Sequence, residues 1–207
     1  MDPVRLVVVA AGLRQPSTTR MLADRLAAAA ERALGNHGRA TEVRVLELRE
    51  LAVDIANNLV TGFPNSVLDD ALKAVEGADG LIVVSPIFSA SYSGLFKSFF
   101  DLIEPKALTG TPVLIAATGG SVRHSLALEH ALRPLFSYLH ATVVPTGVFA
   151  ATEDWGAASG AESVDLVGRI DRAAGELALF VAGQPPQRNN DVEDDDEVIP
   201  FEQLLAR

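Results

Sequence analysis

Three short stretches of this 207-residue chain hold residue types that can do chemistry together. The first is Gly12-Leu13-Arg14-Gln15-Pro16-Ser17-Thr18-Thr19-Arg20, between an apolar run and an alanine-rich one. A turn that opens a helix aims free backbone N–H groups and the positive end of the helix dipole outward, and Ser and Thr hydroxyls add donors without bulk. That suits a phosphate; a plain helix cap by Ser17 or Thr18 explains the same residues. The second stretch, Ser85-Pro86-Ile87-Phe88-Ser89-Ala90-Ser91-Tyr92-Ser93-Gly94, sets a rigid proline and an aromatic where exposed amides can lie along a flat heterocycle and hydrogen-bond its edge. Its other reading puts Phe88 in the core and the serines at a helix cap. The third, Thr118-Gly119-Gly120-Ser121-Val122-Arg123-His124, has paired glycines that let backbone approach a ligand, or simply turn.

What the chain lacks narrows the chemistry. There is no cysteine, which removes disulfides, thiolate nucleophiles and zinc–thiolate sites and leaves any redox work to a bound cofactor. The first turn carries neither GxGxxG nor the Gly-Lys-Ser of a P-loop, so ATP and a Rossmann-bound dinucleotide are disfavoured. No His, Asp and Glu recur at metal-ligand spacing and no nucleophile elbow is present, so neither a metal nor a hydrolase is expected. A net charge of -10 argues against nucleic acid and anionic membranes as partners. Val4 to Ala11 is about half a membrane span long and lacks a signal-peptide flank, so it reads as a strand and the expected location is cytoplasmic.

The elements that must position the three stretches follow from periodicity. Val4 to Ala11 is continuous and β-branched, as in a parallel strand buried on both faces, and Thr18 to Leu34 has helical composition. Thr41 to Leu48 alternates like a strand nearer the edge; a loop with Asn57, Asn58, Gly62 and Pro64 and a short helix, Val67 to Glu76, come next. Strands at Gly80 to Ser85, Pro112 to Thr118 and Thr142 to Phe149 are separated by helices at Tyr92 to Ile103 and Leu126 to Leu139, and a last helix spans Val164 to Ala182. Strands alternating with helices require right-handed crossovers and a five-stranded parallel sheet covered on both faces, an α/β three-layer sandwich. Ligands bind such sheets beyond the carboxyl ends of the strands, where strand order reverses, and the three stretches are the loops after strands one, three and four. Residues 1–183 form one domain; residues 184–207, with paired prolines and an acidic run, read as a flexible tail whose end, Val198 to Arg207, either folds back or frays.

All three loops stand in the order and spacing of the NAD(P)H-dependent FMN reductase family, which this chain resembles from about Val4 to Phe149. The stretch from Pro86 to Pro134 is most similar to the branch that supplies reduced flavin to two-component monooxygenases. The resemblance implies a flavodoxin-like fold with sheet order 2-1-3-4-5 and FMN as cofactor. It assigns Arg14, Ser17, Thr18 and Thr19 to the FMN phosphate, Pro86, Ile87, Phe88 and Ser89 to the isoalloxazine ring, and Thr118, Gly119, Gly120 and Ser121 to the ring's pyrimidine side. One departure is Gly12, where many members have serine. Lys97 and Asp101, one helical turn apart, read as a structural ion pair, His124 as a solvated side chain, and His130 as interface or core.

The function implied is hydride transfer from NADH or NADPH to FMN, chemistry that the flavin supplies, so no catalytic side chain is expected. NAD(P)H enters the open cleft above the flavin, with Arg14 or Arg123 as phosphate partners. A flavin-dependent monooxygenase is the implied recipient of reduced FMN, and a homodimer or homotetramer the implied assembly. Three other readings compete: a reductase that keeps its FMN and reduces quinones, azo dyes or metal oxyanions; a flavodoxin-type electron carrier; and a binding module that has lost its ligand. Carriers are acidic over the body, whereas this body carries Arg14, Arg20, Arg25, Lys97, Arg123 and Arg133, and the intact set of loops opposes loss of the ligand.

Overall fold

In the computed structural model, which describes residues 2–155 and 164–183, the amino-terminal apolar run is strand β1 (Val4–Ala10), buried throughout except at Arg5. It lies between β2 (Thr41–Glu47) and β3 (Gly80–Phe88), parallel to both, with Val8 opposite Val45 on one side and Ile82 on the other. The two-residue β4 (Ser91–Tyr92) turns back antiparallel on the end of β3, and β5 (Pro112–Gly119) is the next parallel strand. The far edge is shared by β6 (Thr142–Val143) and β7 (Val148–Ala151), each parallel to β5. The resulting path, β2-β1-β3-β5-β6, is the expected flavodoxin-like order with the fifth strand in two pieces.

Among the described residues six α-helices complete the sandwich: α1 (Thr18–Asn36), α2 (Ala52–Thr61), α3 (Ser66–Glu76), α4 (Gly94–Phe100), α5 (Arg133–Tyr138) and α6 (Val164–Gly183). Because successive strand residues point to opposite faces, β1 sends Leu6 and Val8 into one core and Val7 and Val9 into the other. On the first face α1 and α6 pack closely through small residues, Ala23, Ala27, Ala30, Ala173, Ala174 and Ala178, all buried. The second face adds a cluster of aromatics to its aliphatic core. Phe100 has its ring centroid 4.7 Å from Phe96 and 4.9 Å from Phe136, and Phe99 packs edge-on at 5.3 Å. Tyr92, in the segment that follows β3, extends the cluster with its ring centroid 5.7 Å from that of Phe96.

Four boundaries differ from the sequence expectation, each for a local reason. The asparagines expected in a loop lie in α2, whose Ile55 and Asn58 face the core; Gly62 ends it in a left-handed conformation (φ 81°), its N–H donating to the Asn58 carbonyl at 2.8 Å. Strand three runs on to Phe88, and α4 begins only after Ser93, whose hydroxyl accepts from the Phe96 N–H. The helix expected from Leu126 opens as a π-helical turn, Leu128–Leu132, because Pro134 has no N–H to donate to the carbonyl four residues back. The fifth strand breaks at Pro145, and Thr146 instead donates its N–H and hydroxyl to the Glu176 carboxylate, both at 2.7 Å. The acidic tail lies outside the described residues. No described helix is long and apolar enough to cross a membrane.

Candidate active site

Strands β1, β3 and β5 are neighbours and end together: the Ala11 N–H donates to the Val84 carbonyl at 2.9 Å, and Pro86 stands opposite Thr118. Strand order reverses between β1 and β3, so the three loops named by the sequence meet at one crevice.

The first loop folds tightly on itself. A Cβ on Gly12 would stand 2.0 Å from Ser17 Oγ and 3.1 Å from Thr19 Cβ, which gives the departure from serine at position 12 a steric reason. Ser17 is the N-cap of α1, its hydroxyl accepting from the Arg20 N–H at 3.2 Å, so the capping reading holds for it. The first turn of α1 contains no acidic residue, and the positive end of this 19-residue helix therefore faces the crevice uncompensated. Arg14 and Thr18 are exposed beside it. Thr19 points inward: its hydroxyl lies 2.8 Å from that of Thr118, both side chains are buried, and the pair stitches the first loop to the end of β5.

In the second loop Pro86 is buried, Ile87 half-buried, and Phe88, expected either on the ring or in the core, stands 48% exposed. Ser89 (φ 48°) and Ala90 (φ 69°) form the two-residue turn between β3 and β4. Both are non-glycine residues in left-handed backbone, a conformation that costs of order 1–3 kcal/mol each and collects at functional sites. The hairpin is closed at its base by Ser85, whose buried hydroxyl donates to the Pro86 carbonyl and accepts from the Ser93 N–H, each at 2.9 Å. Neither Ser85 nor Ser93 was among the expected site residues, although a lone serine ending the apolar run Leu81 to Val84 was the available signal.

The third loop gives its two glycines different tasks. A Cβ on Gly119 would come within 2.8 Å of the Phe149 ring and 3.7 Å of His124 Cβ, so packing inside the chain demands that glycine. Gly120 meets nothing within 4 Å and presents bare backbone to the crevice. Ser121 caps the short turn Val122–His124 by accepting from the Arg123 N–H at 3.3 Å, and the side chains of Arg123 and His124 are exposed. His130 is exposed as well, so it is no part of this chain's core.

The crevice has a consistent electrostatic character. No Asp or Glu occurs between Asp2 and Asp24, between Asp79 and Asp101, or between Glu104 and Glu129, intervals that contain all three loops. The first carboxylate after each loop is tied to a cation on its own helix: Asp24 to Arg20 at 2.8 Å, Asp101 to Lys97, and Glu129 to Arg133 at 2.6 Å. The hydrogen bond that Lys97 donates to Asp101 holds the Lys97 ammonium above its ordinary range, and that from Arg133 holds the Glu129 carboxyl below its own. Arg14 and Arg123, by contrast, have no ion pair among the described residues. Nor do three His, Asp or Glu side chains group among them as a metal site would.

A crevice bordered by three loops without a carboxylate, with a helix N-terminus and an arginine at one end and a strained hairpin beside it, fits a phosphate joined to a flat heterocycle. The family model described as NADPH-dependent FMN reductase matches residues 4–156. The chain belongs to that family. Relatives include an FMN reductase (NADPH) of Pseudomonas aeruginosa, 41% identical over 74% of this chain and 80% of its own length. An NADH-dependent FMN reductase, SfnE, of Pseudomonas putida is 40% identical over 87% of this chain and 94% of its own. An oxidoreductase of Corynebacterium diphtheriae superposes with a TM-score of 0.84 at 47% identity, covering 89% of this chain and 100% of that one. FMN reductases of this family use NAD(P)H as hydride donor and FMN as flavin substrate or cofactor. Relatives of nearly equal identity thus carry different nicotinamide nucleotides in their names.

Proposed function

We propose that this chain is an NAD(P)H:FMN oxidoreductase in which the three loops hold the flavin. The observation that carries the reading is the convergence of these loops, none of which contains an Asp or Glu, on one crevice at the switch point of the sheet. Arg14, Ser17, Thr18 and the backbone N–H of Thr19 take the phosphate; the Thr19 hydroxyl, engaged by Thr118, holds the loop in place. Pro86, Ile87, Phe88 and Ser89 flank the ring, the buried proline fixing the hairpin and exposed Phe88 offering an apolar wall. Thr118, Gly119, Gly120 and Ser121 border its polar edge, where backbone N–H and C=O groups can pair with ring nitrogens and oxygens.

FMN, when bound, supplies a hydride acceptor for the nicotinamide. The protein's part would be to orient: the loops would hold the ring so that the donor can lie against one face, and no side chain would have to move a proton. Lys97 and Asp101 bind each other on α4 and serve structure. The same reading makes a flavin-dependent monooxygenase the consumer of reduced FMN, places the protein in the cytoplasm and assembles it as a homodimer or homotetramer. Residues 184–207 are proposed as a flexible tail on a domain of residues 1–183.

Purified protein tested with NADH and with NADPH at 340 nm, with and without FMN, decides the matter. Oxidation that requires and saturates with added FMN supports flavin as substrate. Protein that purifies yellow and turns over only with a quinone or dye is instead a bound-flavin reductase, and no oxidation with any acceptor leaves the carrier or binding module.

A further inference from the structure

We propose that Arg123 binds the 2′-phosphate of NADPH, so that this chain prefers NADPH to NADH; the inference rests on the reductase reading above. Most arginines of the described residues are matched with carboxylates: Arg5 with Asp79, Arg20 with Asp24 and Glu47, Arg32 with Asp171, Arg44 with Asp70, Arg49 with Glu47 and Glu50, Arg133 with Glu129 and Arg169 with Asp154, while Arg39 and Arg172, which have no ion pair among these residues, stand outside the three loops. In a protein of net charge -10, two guanidinium groups kept from acids at the same rim mark a place where anions are received. Arg14 precedes the N-terminus of α1 and goes with the flavin phosphate there. Arg123 remains for a second anion.

Its backbone is held firmly while its side chain is not. The Arg123 N–H donates to Ser121 Oγ at 3.3 Å, the His124 N–H to the Ser121 carbonyl at 3.2 Å, and the Ser125 N–H to the Val122 carbonyl at 3.0 Å. His124 Cβ lies over Gly119, which folds the turn back onto the end of β5 and keeps Arg123 at the rim. Arg123 stands beyond Gly120 and Ser121, outside the residues proposed to border the ring. A dinucleotide whose nicotinamide lies on the ring carries its pyrophosphate close to the flavin and its adenosine farther out, so the outlying arginine meets the adenosine end. There a phosphate monoester accepts two parallel hydrogen bonds from the planar guanidinium. NADH offers only a ribose hydroxyl at that position.

The test compares the full-length wild type with Arg123→Ala and Arg123→Lys, two substitutions at an exposed site. Calorimetry with adenosine 2′,5′-bisphosphate and with 5′-AMP reads the contact without turnover. The wild type is expected to bind the bisphosphate more tightly, and Arg123→Ala to weaken it about 10- to 100-fold, with Arg123→Lys between the two because it keeps charge but loses the fork. In steady state the ratio of KM for NADPH to KM for NADH should rise by a similar factor in Arg123→Ala. An unchanged ratio, whether both constants stay or both rise together, overturns the assignment, as does equal binding of the two adenosine phosphates by the wild type. A wild type that oxidises neither nucleotide defeats the reductase reading alone, since the calorimetry still reports on Arg123.

Discussion

At the amino ends of the strands Arg5 lies against Asp79, which accepts from its backbone N–H at 2.8 Å and from its guanidinium at 3.3 Å, and charge is neutralised within the fold. At the carboxyl ends Arg14 and Arg123 are exposed in loops without a carboxylate, and polar groups are turned outward or left as bare backbone. Below both ends the sheet is apolar on its two faces, so neither arrangement is dictated by the core. The difference separates two uses of electrostatics. Paired charges hold elements in register at small net gain, because an exposed ion pair is worth little. Unpaired cations at a rim do nothing for folding and are available to a ligand.

If that separation is sound, changes in the body should lower stability without altering ligand preference, and changes at the rim the reverse. The largest effect is expected from Phe100→Ala, which removes the ring at the centre of the aromatic cluster. A loss of about 3–5 kcal/mol is expected, read as a shifted denaturant midpoint, with FMN affinity of the folded protein nearly unchanged. A large loss of FMN affinity at temperatures where the variant is fully folded would join body and rim after all. Next in size, Arg14→Glu should weaken FMN binding by about 100-fold, measured by flavin fluorescence quenching, while the unfolding midpoint stays within about 0.5 kcal/mol of the wild type. Undiminished FMN binding would take Arg14 out of the phosphate site.

The Thr19–Thr118 hydrogen bond crosses the boundary between the two regions, which makes it the sharper probe. Thr19→Val leaves the Thr118 hydroxyl buried without its partner and should cost about 1–3 kcal/mol. The double change to valine removes both polar groups and should cost less than the sum of the single ones, a coupling visible in a double-mutant cycle. FMN should bind more weakly in the single variant because the first loop loses its tie to β5.

Residue types carried the alternation of strands and helices and the position of the three loops, because buried parallel strands and alanine-rich helices advertise themselves over many residues, while the order of the strands in the sheet came from the family resemblance. Gly12 and Gly119 were visible as glycines, yet their reasons, the Ser17 hydroxyl and the Phe149 ring, come from residues brought near only by folding. Thr19 and Thr118 stood among the expected ligand residues, but their mutual bond spans 99 positions and has no local pattern. Helix α2 was hidden for the opposite reason. Its asparagines weaken helical propensity, and the burial of Ile55 and Asn58 overrides it. The hairpin at Ser89 and Ala90 escaped because neither residue is the Asn or Gly that left-handed turns favour.

The smallest expected effect concerns pH and sets two carboxylates of the body against each other. Arg133 lowers the folded-state pKa of Glu129, so this pair contributes stability that is complete above the ordinary carboxylate range and is lost as pH falls through the depressed value. Burial, with Glu104 nearby, raises the pKa of Glu76, so Glu76 favours the folded state when protonated and opposes it once pH climbs through the ordinary range. Glu129→Gln should therefore be less stable than the wild type at pH 7, and Glu76→Gln more stable, each by under about 1 kcal/mol because both groups are partly solvated. Both differences should shrink as urea unfolding is repeated at progressively lower pH and the carboxyls become protonated in folded and unfolded chains alike. The same titration should leave FMN affinity in the two variants equal to that of the wild type. A change there that follows Glu129 would show that the paired charges behind the third loop also serve the rim.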